Sequence, residues 1–400
     1  MPFAVLALLG ALTAVAPISL DLYLAAFPQI RAELGVAAWQ VQLTMTACMI
    51  GLAVGQLIGG IVSDSRGRRT PLIAGMVLFT LASIACIFAP DIWTLVAARF
   101  VQGIGGGAGI VVARAVIRDR TSGEAMVRAL TTTMILLGLG PILAPMLGGW
   151  MLRLTDWRGV FGVLAVLAAI LLVGSLFLRE SLPTERRRSA GLAATLRDFR
   201  AVVADPHWRY GAGTVALTST AVFVYIGASS FIFQDIFGLS ATAFGVLFGV
   251  MAMNFMLFSQ TNRILGRWLT PTARLGISVV GISLAAVVLA TAALVPDPPV
   301  WLAILGCGLL PASHGLGSPN GIAIALEHHD ARAGSASALQ GVIQFLLGAA
   351  AVPLVGEALG SLAIAVGVIA VLLVILRATS SRTSTPEPVP DTTNATPVVG

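Results

Sequence analysis

Two charged residues sit where charge is costly. Asp21 lies in the stretch ISLDLYLAAFPQI, residues 18–30, near the end of an apolar run that begins at Phe3 and holds no other charge. Arg99 lies in AARFVQGIGGGAGIVVARAVIRDR, residues 97–120, where Gln102, Gly103 and a glycine run follow it. An ionised side chain in hydrocarbon is expensive and rarely faces lipid, so each is a functional candidate by default. A carboxylate placed there can bind and release a proton, since burial favours its neutral form and a nearby cation its charged form. The plain alternatives are an Asp near the headgroups or a static ion pair.

The elements that must position these residues follow from composition. Of 400 residues, 57% are hydrophobic and 10% charged, against about 25% charged in a soluble domain. Apolar runs recur along nearly the whole chain, and about twenty apolar residues cross one bilayer. The sequence therefore predicts an all-α membrane protein with twelve spans. The first six are 3–27, 40–62, 71–89, 93–116, 130–152 and 158–178. The second six are 209–234, 241–262, 272–295, 299–323, 333–357 and 360–377. The N-terminus lacks a basic leader and is read as the first span, not a signal peptide.

The basic residues are 24 arginines and no lysine, giving a formal charge of +6. Nineteen of them fall in the loops and tail on one side if both termini are cytoplasmic; Arg31, Arg153 and Arg158 fall on the other, and Arg99 and Arg114 lie within span four. This positive-inside bias predicts a multi-pass protein of the cytoplasmic membrane. It makes a lipid bilayer, and no nucleic acid, the expected partner. Asp21 lies six residues before Phe27 and Arg99 six after Trp93, so both sit roughly 9 Å from the outer boundary. They are expected to meet, or to share water, in one cavity.

The longest internal connection, 179–208, divides the spans six and six. The expected organisation is a bundle over 1–178, a solvated cytoplasmic linker over 179–208, a second bundle over 209–377 and a disordered tail over 378–400. RGRRTPL after span two and LGRWLTP after span eight suggest two repeated halves, with Gly67 and Gly266 in equivalent places. The cysteines Cys48, Cys86 and Cys307 all lie in apolar runs and give no disulfide framework. His328 and His329, beside Glu327 and Asp330, have the composition of a metal-ligand run, but the reading here is a solvated turn. No metal or cofactor is expected, and no phosphate-binding loop is present to suggest ATP drive.

GGIVSDSRGRRTPL, residues 59–72, resembles the major facilitator signature G-x-L-A-D-R/K-x-G-R/K-R/K-x-x-L. Gly60, Asp64, Gly67, Arg68, Arg69 and Leu72 match, while Ser65 replaces a basic residue. Asp64, at a helix end, is expected to accept hydrogen bonds from a neighbouring helix N-terminus and so latch the two halves. Arg114 and Asp119 are expected to join this inner charge cluster. Arg99, Gln102 and Gly103 resemble the superfamily's R-x-x-Q-G pattern. GLGPILAPMLGG, residues 138–149, resembles its antiporter motif through Gly140, Pro145, Gly148 and Gly149, with Ala144 in place of a glycine.

Further strings resemble the bicyclomycin/chloramphenicol-resistance subfamily of drug:proton antiporters. These are Asp21, Tyr23 and Pro28 in span one, RAVIRD at 114–119, YIGASSFIFQDIFGLSATAFGVLF at 225–248, PNGIAIAL at 319–326 and AGSASALQGVIQFLLGA at 333–349. The resemblance implies the major facilitator fold, two pseudo-symmetric six-helix bundles. It implies a non-enzymatic, proton-coupled exporter of amphipathic small molecules or antibiotics, expected to act as a monomer. Asp21 and Arg99 would couple protons. Tyr23, Gln102, Tyr225, Phe231, Asn254 and Gln344 are the candidate cavity residues. His314 is either a second proton site or a core histidine, and Asn262, Asn320 and Gln340 are expected to bond between helices. The alternatives are a proton-coupled uptake permease, which the span-five motif argues against, and a membrane enzyme, for which the short loops supply no catalytic constellation.

Overall fold

Within hydrocarbon a backbone can pair its polar groups only with itself, so long apolar runs must become helices or a closed barrel. In the computed structural model, which describes residues 2–187, 192–329 and 332–381, they are helices. The order is α1 (Phe3–Asp21), α2 (Phe27–Leu34), α3 (Ala38–Arg66), α4 (Arg69–Ile87), α5 (Ile92–Arg120), α6 (Gly123–Met151), α7 (Trp157–Leu176), α8 (Leu192–Ala204), α9 (Pro206–Phe231), α10 (Ala241–Leu265), α11 (Pro271–Leu294), α12 (Val300–Leu326), α13 (Ala333–Val355) and α14 (Leu359–Ser381). No strand occurs among the described residues. Among the described residues, eleven stretches are long and apolar enough to cross a membrane, α1 and α2 counting as one. The 29-residue α6 matches the fifth of the twelve spans expected from the sequence.

Two differences from the expected elements bear on function. The first span is not continuous: α1 ends at Asp21, and a 3₁₀ turn over Leu24–Ala26 leads into α2. The connection over 179–208 is not only a solvated linker. It contains α8, whose Val202 is buried against Trp208, Ala212, Ala325 and Ala336. Helix α14 runs through Ser381, so the tail expected from 378 starts later, and residues 382–400 lie outside the described residues.

In the first half α5 packs between α3 and α4, and α1 lies against α5 and α6. In the second half α12 takes the equivalent place among α9, α10 and α11. Across the halves, α3 pairs with α13 and α6 with α10. The outward side chains of the spans are apolar, such as Leu81, Val166, Ile170, Val280 and Ile364. Lipid tails are as apolar as these residues, so helix association must come from close packing. The glycine run of α5 provides it. A Cβ on Gly103 would lie 2.9 Å from the Leu52 nitrogen, one on Gly107 2.8 Å from the Gln56 nitrogen, and one on Gly105 2.6 Å from the Phe79 nitrogen.

Candidate functional site

A cavity of about 390 Å³ lies between the halves. Its walls are largely apolar and aromatic, including Leu20, Leu52, Ile110, Phe223, Phe248 and Phe345. Among the described residues, five polar side chains line it: Asp21, Ser219, Tyr225, His314 and Gln344. Pro17, Pro141 and Pro311 line it as well, each inside its own helix. Proline interrupts the helical hydrogen-bond ladder, and interrupted spans are where transporters build binding sites.

Asp21 is only 7% exposed, yet it has no ion-pair or hydrogen-bond partner among the described residues. It occupies the last position of α1. The carbonyl end of a helix carries partial negative charge, so a positive charge beside this carboxyl group is favoured.

The expected meeting of Asp21 with Arg99 is not made. The break after α1 separates them: Asp21 lines the cavity, while Tyr23, two residues on, turns toward α5 and takes the arginine. The Arg99 guanidinium carbon lies 4.3 Å from the Tyr23 ring centroid and 5.6 Å from that of Phe161. Arg99 also donates to the Gln102 side-chain oxygen, and Gln102 donates to Ser83 Oγ at 2.7 Å. Arg99 Nε and Nη2 have no hydrogen-bond partner among the described residues. The residue is fully buried and does not line the cavity.

Four of the six expected cavity residues are therefore placed elsewhere. Tyr23 is buried under Arg99, its hydroxyl 2.9 Å from Thr44 Oγ1. Gln102 is held by Arg99 and Ser83. Phe231 packs on Phe27, ring centroids 5.7 Å apart, beneath the Arg31 guanidinium. Asn254 is half-buried against Gly308 of α12 and misses the cavity lining. Tyr225 and Gln344 are in place. Tyr225 stacks on Phe248 and donates to Met251 Sδ at 2.9 Å. His314, which the sequence left open between core and proton site, faces the cavity with Thr218 Oγ1 at 3.0 Å and Ser219 Oγ at 3.3 Å.

The cavity is sealed at the end that carries Arg31. There Arg31 pairs with Asp235 at 3.0 Å and with Glu357. Gln42 donates to the carbonyls of Gly227 and Gly356 at 3.0 and 2.6 Å, and Thr46 to that of Ala349 at 3.0 Å. Gln234 donates to the Ala25 carbonyl at 3.1 Å. Gln42 and Thr46 are not legible as seal residues in the sequence, since a lone polar residue in a span reads as packing.

The span-five motif belongs to this seal. A Cβ on Gly149 would lie 3.0 Å from the Ala241 carbonyl carbon and 3.2 Å from the Thr242 Cα. One on Gly148 would lie 2.9 Å from the Leu22 carbonyl carbon, at the break after α1. The backbone of Pro145 contacts Gly245 of α10, and Gly140 faces Ile18. Thr242 Oγ1 donates to the Gly149 carbonyl at 3.0 Å. The motif thus brings α6 against both the broken first span and the opposite half.

At the opposite end the signature loop forms a cluster within its own half. Arg68 donates to Asp64 and to Asp119 Oδ2, the latter at 2.9 Å. Gly67 has φ +96°, and a Cβ there would also lie 2.6 Å from Glu180 Oε2. The expected bond from a helix N-terminus to Asp64 is not found. Glu180 takes that role instead, accepting from the backbone nitrogens of Arg68 at 2.8 Å and Arg69 at 3.1 Å. Asp64 stands one turn before Arg68 and is taken by its guanidinium. Burial alone would raise the Glu180 carboxyl, but backbone N–H groups of Leu182, Arg68, Arg69 and Ser181 outweigh it and hold the carboxyl below the usual glutamate range. Arg114 is exposed on α5 and belongs to no described ion pair, so it is not part of the cluster. Gly60 makes only an ordinary contact with Val111.

The second half repeats the cluster with neutral partners. Arg274 donates to the backbone carbonyl of Asn262 at 3.1 Å and to its side-chain oxygen at 3.3 Å, and Asn320 donates to that oxygen at 2.6 Å. Helices α10, α11 and α12 thus mirror α3, α4 and α5. None of the described hydrogen bonds or ion pairs of either cluster crosses to the other half.

Two six-helix bundles around a central cavity, sealed at one end, define a membrane transporter. The sequence profile of the Major Facilitator Superfamily matches residues 9–353, and the chain belongs to that family. It is 36% identical over 355 residues to the uncharacterized MFS-type transporter YdgK of Bacillus subtilis, covering 87% of each chain. It is 27% identical over 344 residues to a bicyclomycin resistance protein homolog of Haemophilus influenzae, covering 85% of this chain and 86% of that one. The second of these relatives agrees with the likeness to the drug-resistance branch read from the sequence. The fold is similar to that of the nucleoside transporter NupG, with TM-score 0.73 at 12% identity over 95% of this chain and 99% of that one. A bacterial homolog of the human lysosomal transporter Spinster also gives TM-score 0.73, at 17% identity over 95% and 96% of the two chains.

Proposed function

We propose that this chain is a proton-coupled antiporter that exports amphipathic small molecules, cationic ones in particular, across the cytoplasmic membrane. The observation that carries this reading is Asp21, a carboxyl group without a partner among the described residues, at a break in the first span and facing a largely apolar cavity. Apolar walls with a few polar groups suit an amphipathic ligand, and the lone acid suits either a proton or the positive end of a drug. The two cannot both occupy it, and that exclusion is a coupling device. With the Arg68 end cytoplasmic, as the arginine bias favours, the conformation described is open inward. Cytoplasmic drug displaces the proton from Asp21, the halves rock, and the outward state exchanges drug for a new proton. Exchange of one proton for one singly charged drug moves no net charge, so the pH gradient drives it, and each tenfold proton ratio supplies about 1.4 kcal/mol. The same reading takes residues 1–178 and 209–377 as the moving bundles, with both termini cytoplasmic.

Arg99 enters this cycle as a fixed cation held by Tyr23 and Phe161, not as the partner of Asp21 in the inward state. Asp64, Arg68, Arg69 and Asp119 are assigned to the contact that closes the inner end. Reconstitution into vesicles with an imposed pH gradient, acid outside the extracellular face, tests the whole reading. Tetraphenylphosphonium should move against the proton flow, and uptake in the direction of the protons would indicate a permease instead.

A further inference from the structure

Three of the four histidines in this chain meet at one place, remote from the cavity. His207 lies in the first turn of α9, and His328 and His329 follow the end of α12. All three surround Asp205, which caps α9 by accepting from the His207 backbone nitrogen at 2.9 Å. His207 Nδ1 is 3.6 Å from one Asp205 oxygen. His328 Nδ1 and His329 Nε2 are 3.9 and 3.0 Å from the other. One ligand atom each from Asp205, His207 and His328 lies within 4.8 Å of the others. In a tetrahedral site with metal–ligand bonds of about 2.0–2.1 Å, ligand atoms stand roughly 3.3 Å apart, so small side-chain rotations close the set.

Glu327 and His328 are exposed, as a solvated turn requires, but His329 is not. The His329 side chain is 9% exposed, and although its Nε2 lies close to Asp205 Oδ2, neither atom is in hydrogen-bonding geometry with any partner among the described residues. Buried polar atoms without a hydrogen bond are uncommon and ask for an explanation. Asp330 lies outside the described residues.

We propose that Asp205, His207 and His328 bind a divalent transition metal of the zinc type, with a water in the fourth position and His329 holding the carboxylate from the buried side. Two imidazoles and one carboxylate suit zinc, nickel or copper and not magnesium or calcium. His207 and His328 are half-exposed, so the metal reaches them from solvent. The site ties the start of α9, where the α8 connection enters the second bundle, to the end of α12, a cavity-lining helix. Bound metal therefore braces the second half at the Arg68 end.

The test uses the full-length protein in detergent with its affinity tag removed and metals stripped by chelation. Titration calorimetry with zinc and with nickel should show one saturable site per chain, and magnesium none. His207→Gln and His328→Gln, both at exposed positions, should each weaken zinc at least ten-fold while eluting as folded protein. Zinc should raise the melting midpoint of the parent and not of either variant. Absence of a saturable site, or variants that bind as the parent does, would overturn the proposal.

Discussion

Replacing Gly149 by alanine separates close packing from intrinsic helix preference, because the two predict opposite signs. In a helix with free space beside it, Gly→Ala stabilises by roughly 0.5–1 kcal/mol. At Gly149 the new methyl would meet the backbone of α10, 3.0 Å from the Ala241 carbonyl carbon and closer still to its oxygen. Backbone cannot turn aside as a side chain can, so α6 and α10 must part. Overpacking of this kind costs about 1–3 kcal/mol, and the Thr242 bond to the Gly149 carbonyl is lost as well, about 1 kcal/mol more. After the helix gain, about 2 kcal/mol acts against the state sealed at the Arg31 end. That is roughly a thirty-fold shift in the balance of conformations. Spin labels at Leu154 and Leu294, exposed on opposite halves near that end, in a cysteine-free background, would read it by pulsed electron resonance. The long-distance population should grow in Gly149→Ala. Gly162→Ala, where nothing lies within 4 Å of the added methyl, should leave it unchanged. An unaltered distance distribution in folded Gly149→Ala protein would refute the idea that this motif seals the cavity.

Other consequences are smaller or more local. Arg31 is about one third exposed in its two ion pairs, and such pairs contribute about 0–1 kcal/mol each. Arg31→Gln should therefore loosen the same label distance only slightly, and less as salt is added. Glu180 has a depressed carboxyl in the folded state, so its support of the Gly67–Arg69 turn holds above the ordinary glutamate range and fades as pH falls through the lower folded value. Proton exchange at the Arg68 and Arg69 amides should accelerate at low pH beyond its intrinsic trend in the parent. It should be fast already at neutral pH in Glu180→Gln. Tyr23→Leu removes a ring 4.3 Å from a fully buried guanidinium, a contact worth about 2 kcal/mol when desolvated. A melting midpoint equal to that of the parent would mean that Arg99 does not depend on that ring.

The shell was legible because hydrocarbon leaves a chain few options. Apolar length alone marks out the spanning helices. The signature residues Gly67 and Arg68 were read correctly as a turn and a cation, since φ and charge are local properties. The partners were not local. Nothing near Asp64 in the sequence says that its carboxylate stays with Arg68 while Glu180, more than a hundred residues away, caps α4. The separation of Asp21 from Arg99 was hidden for a related reason. Equal depth in two helices does not fix which face each side chain takes, and the break after α1 sends Asp21 and Tyr23 in different directions. The prolines Pro17, Pro141 and Pro311 were the unused signal, for all three line the cavity. His207 joined His328 and His329 only through the meeting of α9 with α12.

The central claim is that Asp21 exchanges a proton for substrate. Its direct test is the proton movement that follows addition of tetraphenylphosphonium to vesicles carrying the parent or Asp21→Asn, read with an entrapped pH dye. The parent should release protons on binding and couple them to transport. The asparagine variant, equal in size and never ionised, should lose substrate-driven proton movement while still exchanging substrate down its own gradient. Proton movement of parental size in Asp21→Asn would contradict the account.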